Sequence, residues 1–108
     1  MARRIARGDL FTYAFHSPDK ERPVLVLTRD AVIDLLDTVM VAPITTTIRG
    51  IPSEVLVGQA EGLHHDSAVN LDHVQTVAKA RLGRRLGNLG PDRMSEVCAA
   101  LAIAVNCG

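Results

Sequence analysis

Two runs of apolar and β-branched residues, RPVLVLT at 22–28 and VMVAPITTT at 39–47, are separated by only 29–38, and this spacing constrains the fold more than any other feature. A parallel pair needs a crossover of roughly a dozen residues or more, usually carrying a helix, whereas an antiparallel pair is joined by far less. The two runs are therefore expected to lie side by side and antiparallel. Between them RDAVIDLLDT sets Val32, Leu35 and Leu36 among aspartates, a pattern that suits a helical turn or two.

If Thr28 stands opposite Val39, each step back along the first run is a step forward along the second, and Arg22 arrives opposite Thr45. A slip of one residue would bring Thr46 there on the opposite face, so spacing alone leaves Thr45, Thr46 and Thr47 all open. Guanidinium is a permanent positive fork matched to phosphate oxygens, and a hydroxyl can donate a further hydrogen bond to the same group. Together they suit a phosphodiester at its transition state. The plainer interpretation is a surface arginine ahead of a strand, and threonines chosen for β propensity.

The remaining pattern is mostly β. GDLFTYAF at 8–15 suits a first strand and HSPDK a loop; SEVLV suits another strand. SAVNL and HVQTVAKA suit one bent strand or two short ones, and the glycine-punctuated RLGRRLGNL an edge strand or an ordered turn. After LGPD the character changes. RMSEVCAALAIAV places Met94, Val97, Cys98, Leu101 and Val105 on one helical stripe, with Pro91 suited to the first turn and Cys98 expected in the core. The expected architecture is one domain spanning 1–108, mainly β: a small antiparallel barrel or folded sheet capped by a C-terminal α-helix.

Composition narrows the function classes. With 12 basic and 12 acidic residues there is no global field to steer the chain toward polyanions, although Arg3, Arg4 and Arg7 form one local cluster and Arg81, Arg84 and Arg85 another. Phe11, Tyr13 and Phe15 all fall in one stretch, so base stacking spread over a whole sheet is not expected. His64 and His65 are adjacent, His73 lies apart, and no C-x-x-C or H-x-x-x-H pair occurs, so neither metal nor cofactor is expected. Two cysteines, Cys98 and Cys107, with no leader ahead of them, point to a reducing cytoplasm, and no apolar run approaches the roughly 20 residues that span a membrane.

Read together, RGDL, RPVLVLTRDAV, VMVAPITTTIRGIPSEV, EGLHHDSAVNLDHVQTVAKARLGRRLGNL and the terminal helix resemble, in order and spacing, the MazF/PemK-type mRNA interferases, toxins of type II toxin–antitoxin pairs. The resemblance implies an SH3-like antiparallel β-barrel of CcdB/PemK type, a homodimer, a MazE-like antitoxin as partner, and metal-independent cleavage of single-stranded RNA that leaves 2′,3′-cyclic phosphate and 5′-hydroxyl ends. It places the family's key arginine on Arg22 and its key threonine on Thr45. Thr47 shares the face of Thr45 and is a candidate to assist it in catalysis or RNA binding, whereas Thr46 points away and is expected to be structural; Arg49 is either a rim contact to RNA or a solvated turn residue. Arg81, Arg84 and Arg85 become candidates for holding RNA or an acidic antitoxin tail.

The first loop departs from the family pattern. FHSPDKERP is shorter than the Gly-Ser-Glu-Gln loop of many members and has no glutamine, leaving Ser17 to replace the serine and His16 to act as acid or base. Two rivals follow from the same resemblance: a CcdB-like toxin that binds DNA gyrase without cutting RNA, and a catalytically degenerate binding module.

Overall fold

The computed structural model describes residues 4–15 and 20–107. Seven strands are found among them: β1 (Asp9–Ala14), β2 (Glu21–Val26), β3 (Thr38–Thr45), β4 (Glu54–Val57), β5 (Ser67–Asn70), β6 (Gln75–Ala78) and β7 (Arg85–Asn88). A single short turn of helix, α1 (Asp30–Ile33), fills the connection between β2 and β3, and α2 (Pro91–Ala104) follows the last strand. All the pairings are antiparallel, in the order β4-β5-β3-β2-β1-β7, with β6 also on β3.

β3 is the hinge of this arrangement. It pairs with β6 over Thr38 to Val41 and with β5 at Ile44 and Thr45, while Val41 to Pro43 bond β2. One long strand thus serves two parts of the sheet, and the sheet curls around it into a half-barrel. SAVNL and HVQTVAKA are accordingly two strands, because Leu71–His73 forms a 3-10 turn between them, started by the Asn70 side chain accepting a hydrogen bond from the Asp72 N–H at 3.0 Å.

The curled sheet buries both faces. Leu10, Leu25, Ala42 and Ile44 pack on one side with Val97 and Ala100 of α2, and Phe11, Val24, Val26, Val39 and Val41 pack on the other with Ile5, Ile33 and Leu82. β1 is therefore buried from Asp9 through Tyr13, polar residues included. Asp9 tolerates this because the Ala6 N–H (2.9 Å), Asn88 Nδ2 (2.9 Å) and Arg85 Nη2 (3.1 Å) all reach its carboxylate.

Pro91 is the first residue of α2, where its missing N–H costs nothing. The buried stripe of α2 differs from the one expected: Met94, Val97 and Ala100 are buried and Leu101 and Ala104 half-buried, whereas Cys98 and Val105 are exposed. The helix is docked on its Val97–Ala100–Ala104 side, which turns the other two to the edge of the stripe. Cys98 instead accepts a hydrogen bond at its Sγ from Arg7 Nη2 at 2.9 Å. Among the described residues no helix is long and apolar enough to cross a membrane.

Candidate active site

The pairs Val24–Pro43, Leu25–Ala42 and Val26–Val41 set the register of β2 on β3. Beyond them the Leu27 N–H donates to the Met40 carbonyl at 2.8 Å, and the Met40 N–H donates to Thr28 Oγ1 at 2.8 Å. This is the register that puts Thr28 near Val39, and two further steps the other way reach Arg22 and Thr45. Residues two apart on a strand share a face. Arg22 is in phase with Val24 and Val26, and Thr45 with Val39 and Val41, so both fall on the Phe11 side of the sheet.

Arg22 is exposed and, among the described residues, has no carboxylate paired with it, unlike Arg85 and Arg93. Its partner across β1 is Tyr13. The Arg81 guanidinium lies 5.4 Å from the centre of the Tyr13 ring, and Phe15 meets that ring edge-on with centroids 4.8 Å apart. Two guanidinium groups and an aromatic pair therefore gather at the end of the sheet where Arg22 stands. The register of β1 on β2 was the missing signal, since a short hairpin connection already sets Tyr13 against Arg22.

Thr45 is the last residue of β3 and half-buried. Its Oγ1 accepts a hydrogen bond from the Thr47 N–H at 3.1 Å, which orients the hydroxyl and leaves its proton to donate. Thr47 thus contributes its backbone. The segment after it is tied down as well: the Arg49 and Gly50 N–H groups both donate to Glu54 Oε1, each at 3.0 Å, with Gly50 at a φ of +71° that favours glycine. The Arg49 side chain is exposed on this anchored turn. His16 and Ser17 lie outside the described residues.

The three arginines of RLGRR diverge. Arg81 stacks on Tyr13 and Arg85 is committed to the buried carboxylate of Asp9. Arg84 goes to the opposite side of the sheet, where it lines a cleft with Thr46, Thr12 and His64. Thr46, expected to be structural, is exposed there.

Residues 6–105 match the model of the PemK-like, MazF-like toxins of type II toxin–antitoxin systems. The chain is 51% identical over 87 residues to a probable endoribonuclease, MazF5, of Mycobacterium tuberculosis, covering 80% of each. Among solved structures, the Mycobacterium tuberculosis toxin MazF-mt6 superposes with a TM-score of 0.83 at 39% identity, over 91% of this chain and 96% of that one. An endoribonuclease in complex with its cognate antitoxin, from a mycobacterial species, superposes with a TM-score of 0.87 at 28% identity, over 97% and 98% of the two chains.

Proposed function

The chain belongs to the PemK-like, MazF-like toxin family of type II toxin–antitoxin systems, and from that premise we propose that it is a toxin that cleaves single-stranded RNA, with Arg22 and Thr45 acting on the scissile phosphate. The ribose 2′-oxygen attacks phosphorus, the bond from phosphorus to the 5′-oxygen breaks, and the products are a 2′,3′-cyclic phosphate and a 5′-hydroxyl, with one proton lost from the 2′-hydroxyl and one gained by the leaving oxygen. Arg22 stabilises the charge that builds on the phosphorane-like transition state, and Thr45 donates a hydrogen bond to a non-bridging oxygen. Arginine is protonated at any working pH, so its part is electrostatic. His16, which precedes Arg22 in the sequence, has the side-chain chemistry to move protons near neutral pH.

The observation that carries this reading is the register of β2 on β3, which sets an arginine without a carboxylate partner among the described residues and an oriented threonine hydroxyl on one face at one end of the sheet. The gyrase-binding alternative requires neither group. The reading extends to one toxin domain over 1–108, a homodimer held in check by a MazE-like antitoxin, and a cytoplasmic home. Support comes from the mycobacterial relative solved with its cognate antitoxin, and from Cys98 and Cys107 being free thiols.

Incubating the purified protein with a long single-stranded RNA, with and without EDTA, tests the reaction. Cleavage at a few short sequences, unchanged by EDTA, is expected. Intact RNA in both lanes, together with inhibition of gyrase, would hand the assignment to the rival.

A further inference from the structure

On the face of the sheet opposite Arg22 and Thr45 lies a cleft of about 210 Å³, with Pro23 and Leu86 among its apolar lining and Thr12, Thr46, His64 and Arg84 among its polar lining. Resting on the nuclease reading above, we infer that this cleft receives a nucleobase next to the scissile phosphate, and that Arg84 and Thr46 are specificity-determining residues.

Position is the first argument. Pro23 follows Arg22 and Thr46 follows Thr45 in the chain, and successive strand residues stand ~3.3 Å apart and point to opposite faces. A phosphate held at the open end of β2 and β3 by Arg22 and Thr45 thus has the mouth of the cleft one residue step away. A base on the adjoining nucleotide turns over the strand ends to enter it.

Lining chemistry is the second. No carboxylate lines the cleft, and its charged group is the Arg84 guanidinium. The backbone of Arg84 is fixed by two hydrogen bonds to Thr12, the Arg84 N–H donating to Thr12 Oγ1 and the Thr12 N–H to the Arg84 carbonyl, each at 2.9 Å, while its side chain is exposed. A guanidinium plane on an anchored backbone is a stacking partner for a base, and unstacked bases in single strands are read by such planes together with hydrogen bonds to their edges. Thr12 Oγ1, already accepting from Arg84, has its proton to give to a base acceptor, and Thr46 brings a second hydroxyl. Drug-sized ligands fill roughly 300–1,000 Å³, so the volume suits a single ring system rather than a longer ligand.

The larger groove nearby, about 420 Å³, is unsuited to RNA: Glu61 and Asp66 line it, and its Arg93 is paired with Glu61 at 3.3 Å and Glu96 at 2.7 Å. Packing also explains why the smaller cleft holds its shape. A Cβ on Gly62 would run into the Leu86 carbonyl, and one on Gly87 would sit 2.6 Å from the Glu61 carbonyl, so the His64 loop closes on β7 through two glycines.

The test is a titration of the isotope-labelled full chain with the four nucleoside 3′-monophosphates, followed at backbone amides, alongside end-mapping of cuts in a long RNA. At least one nucleotide is expected to shift Thr12, Thr46, His64 and Arg84, and Arg84→Gln or the cleft-filling Thr46→Trp is expected to weaken that binding about tenfold or more. In cleavage, Arg84→Gln should broaden base preference at one position beside the cut and raise KM about tenfold, with kcat changed far less. Wild-type preference and KM in both folded variants would overturn the inference, as would shifts confined to Arg22 and Thr45, or shifts at the cleft from an acidic peptide and from none of the nucleotides. Should the wild type leave RNA uncut, the nuclease reading fails by itself, and the titration still decides whether the cleft takes a base.

Discussion

Arg22→Ala is expected to slow single-turnover cleavage of RNA by about 10²–10³-fold, the usual loss when one preorganised charge-stabilising donor is removed from a transition state. The side chain is exposed at the start of β2, so its removal should leave the unfolding midpoint close to that of the wild type. Arg22→Lys keeps the charge and loses the planar fork; it should recover only part of the rate, because a single ammonium cannot bond two phosphate oxygens in the same way. A folded Arg22→Ala protein that cuts RNA within about threefold of the wild-type rate would remove this residue from the mechanism, since a preorganised donor is worth far more than that.

Phe11→Ala should carry the largest stability loss of any single truncation in the sheet. Phe11 is fully buried, 0% exposed, in the middle of β1, where it faces the packed side chains of Val24, Val26, Val39 and Val41. Loss of its ring costs about 3–5 kcal/mol through lost transfer energy and an unfilled cavity. Since whole domains are stable by only about 5–15 kcal/mol, a fall of 10 °C or more in Tm is expected, read by thermal or urea unfolding. Phe11→Leu should recover much of it. A loss below about 1 kcal/mol would mean that this face of the sheet is not the packed core described here.

How much of this was legible in the sequence depended on distance along the chain. The pairing of β2 with β3 followed from a connection too short for a crossover, and its register brought Arg22 and Thr45 within reach of one argument. The hairpin of β1 and β2 was equally local, yet its consequence, Tyr13 opposite Arg22, needed a count that the strand pattern alone did not prompt. Cys98 was misplaced for a different reason. Helical periodicity defines a stripe, but which edge of the stripe is covered depends on the surface it docks against, and α2 docks through Val97 and Ala100. The cleft of Thr46 and Arg84 was least visible of all. It exists because Gly62 and Gly87 allow two backbones to approach, and glycines read as turn punctuation carry no sign of which distant carbonyl they admit.

The central claim is that Arg22 and Thr45 act on one phosphate, and a double-mutant cycle measures it most directly. Thr45→Val should cost about 10–150-fold, the worth of a hydrogen bond to a charged group. If both residues hold the same transition state, the loss in the Arg22→Ala, Thr45→Val protein should differ from the sum of the two single losses by about 0.5–3 kcal/mol, measured as single-turnover rates on a short RNA with one site. Strict additivity within about 0.3 kcal/mol, in proteins shown to be folded, would contradict the account, because residues that share a bound group do not act independently.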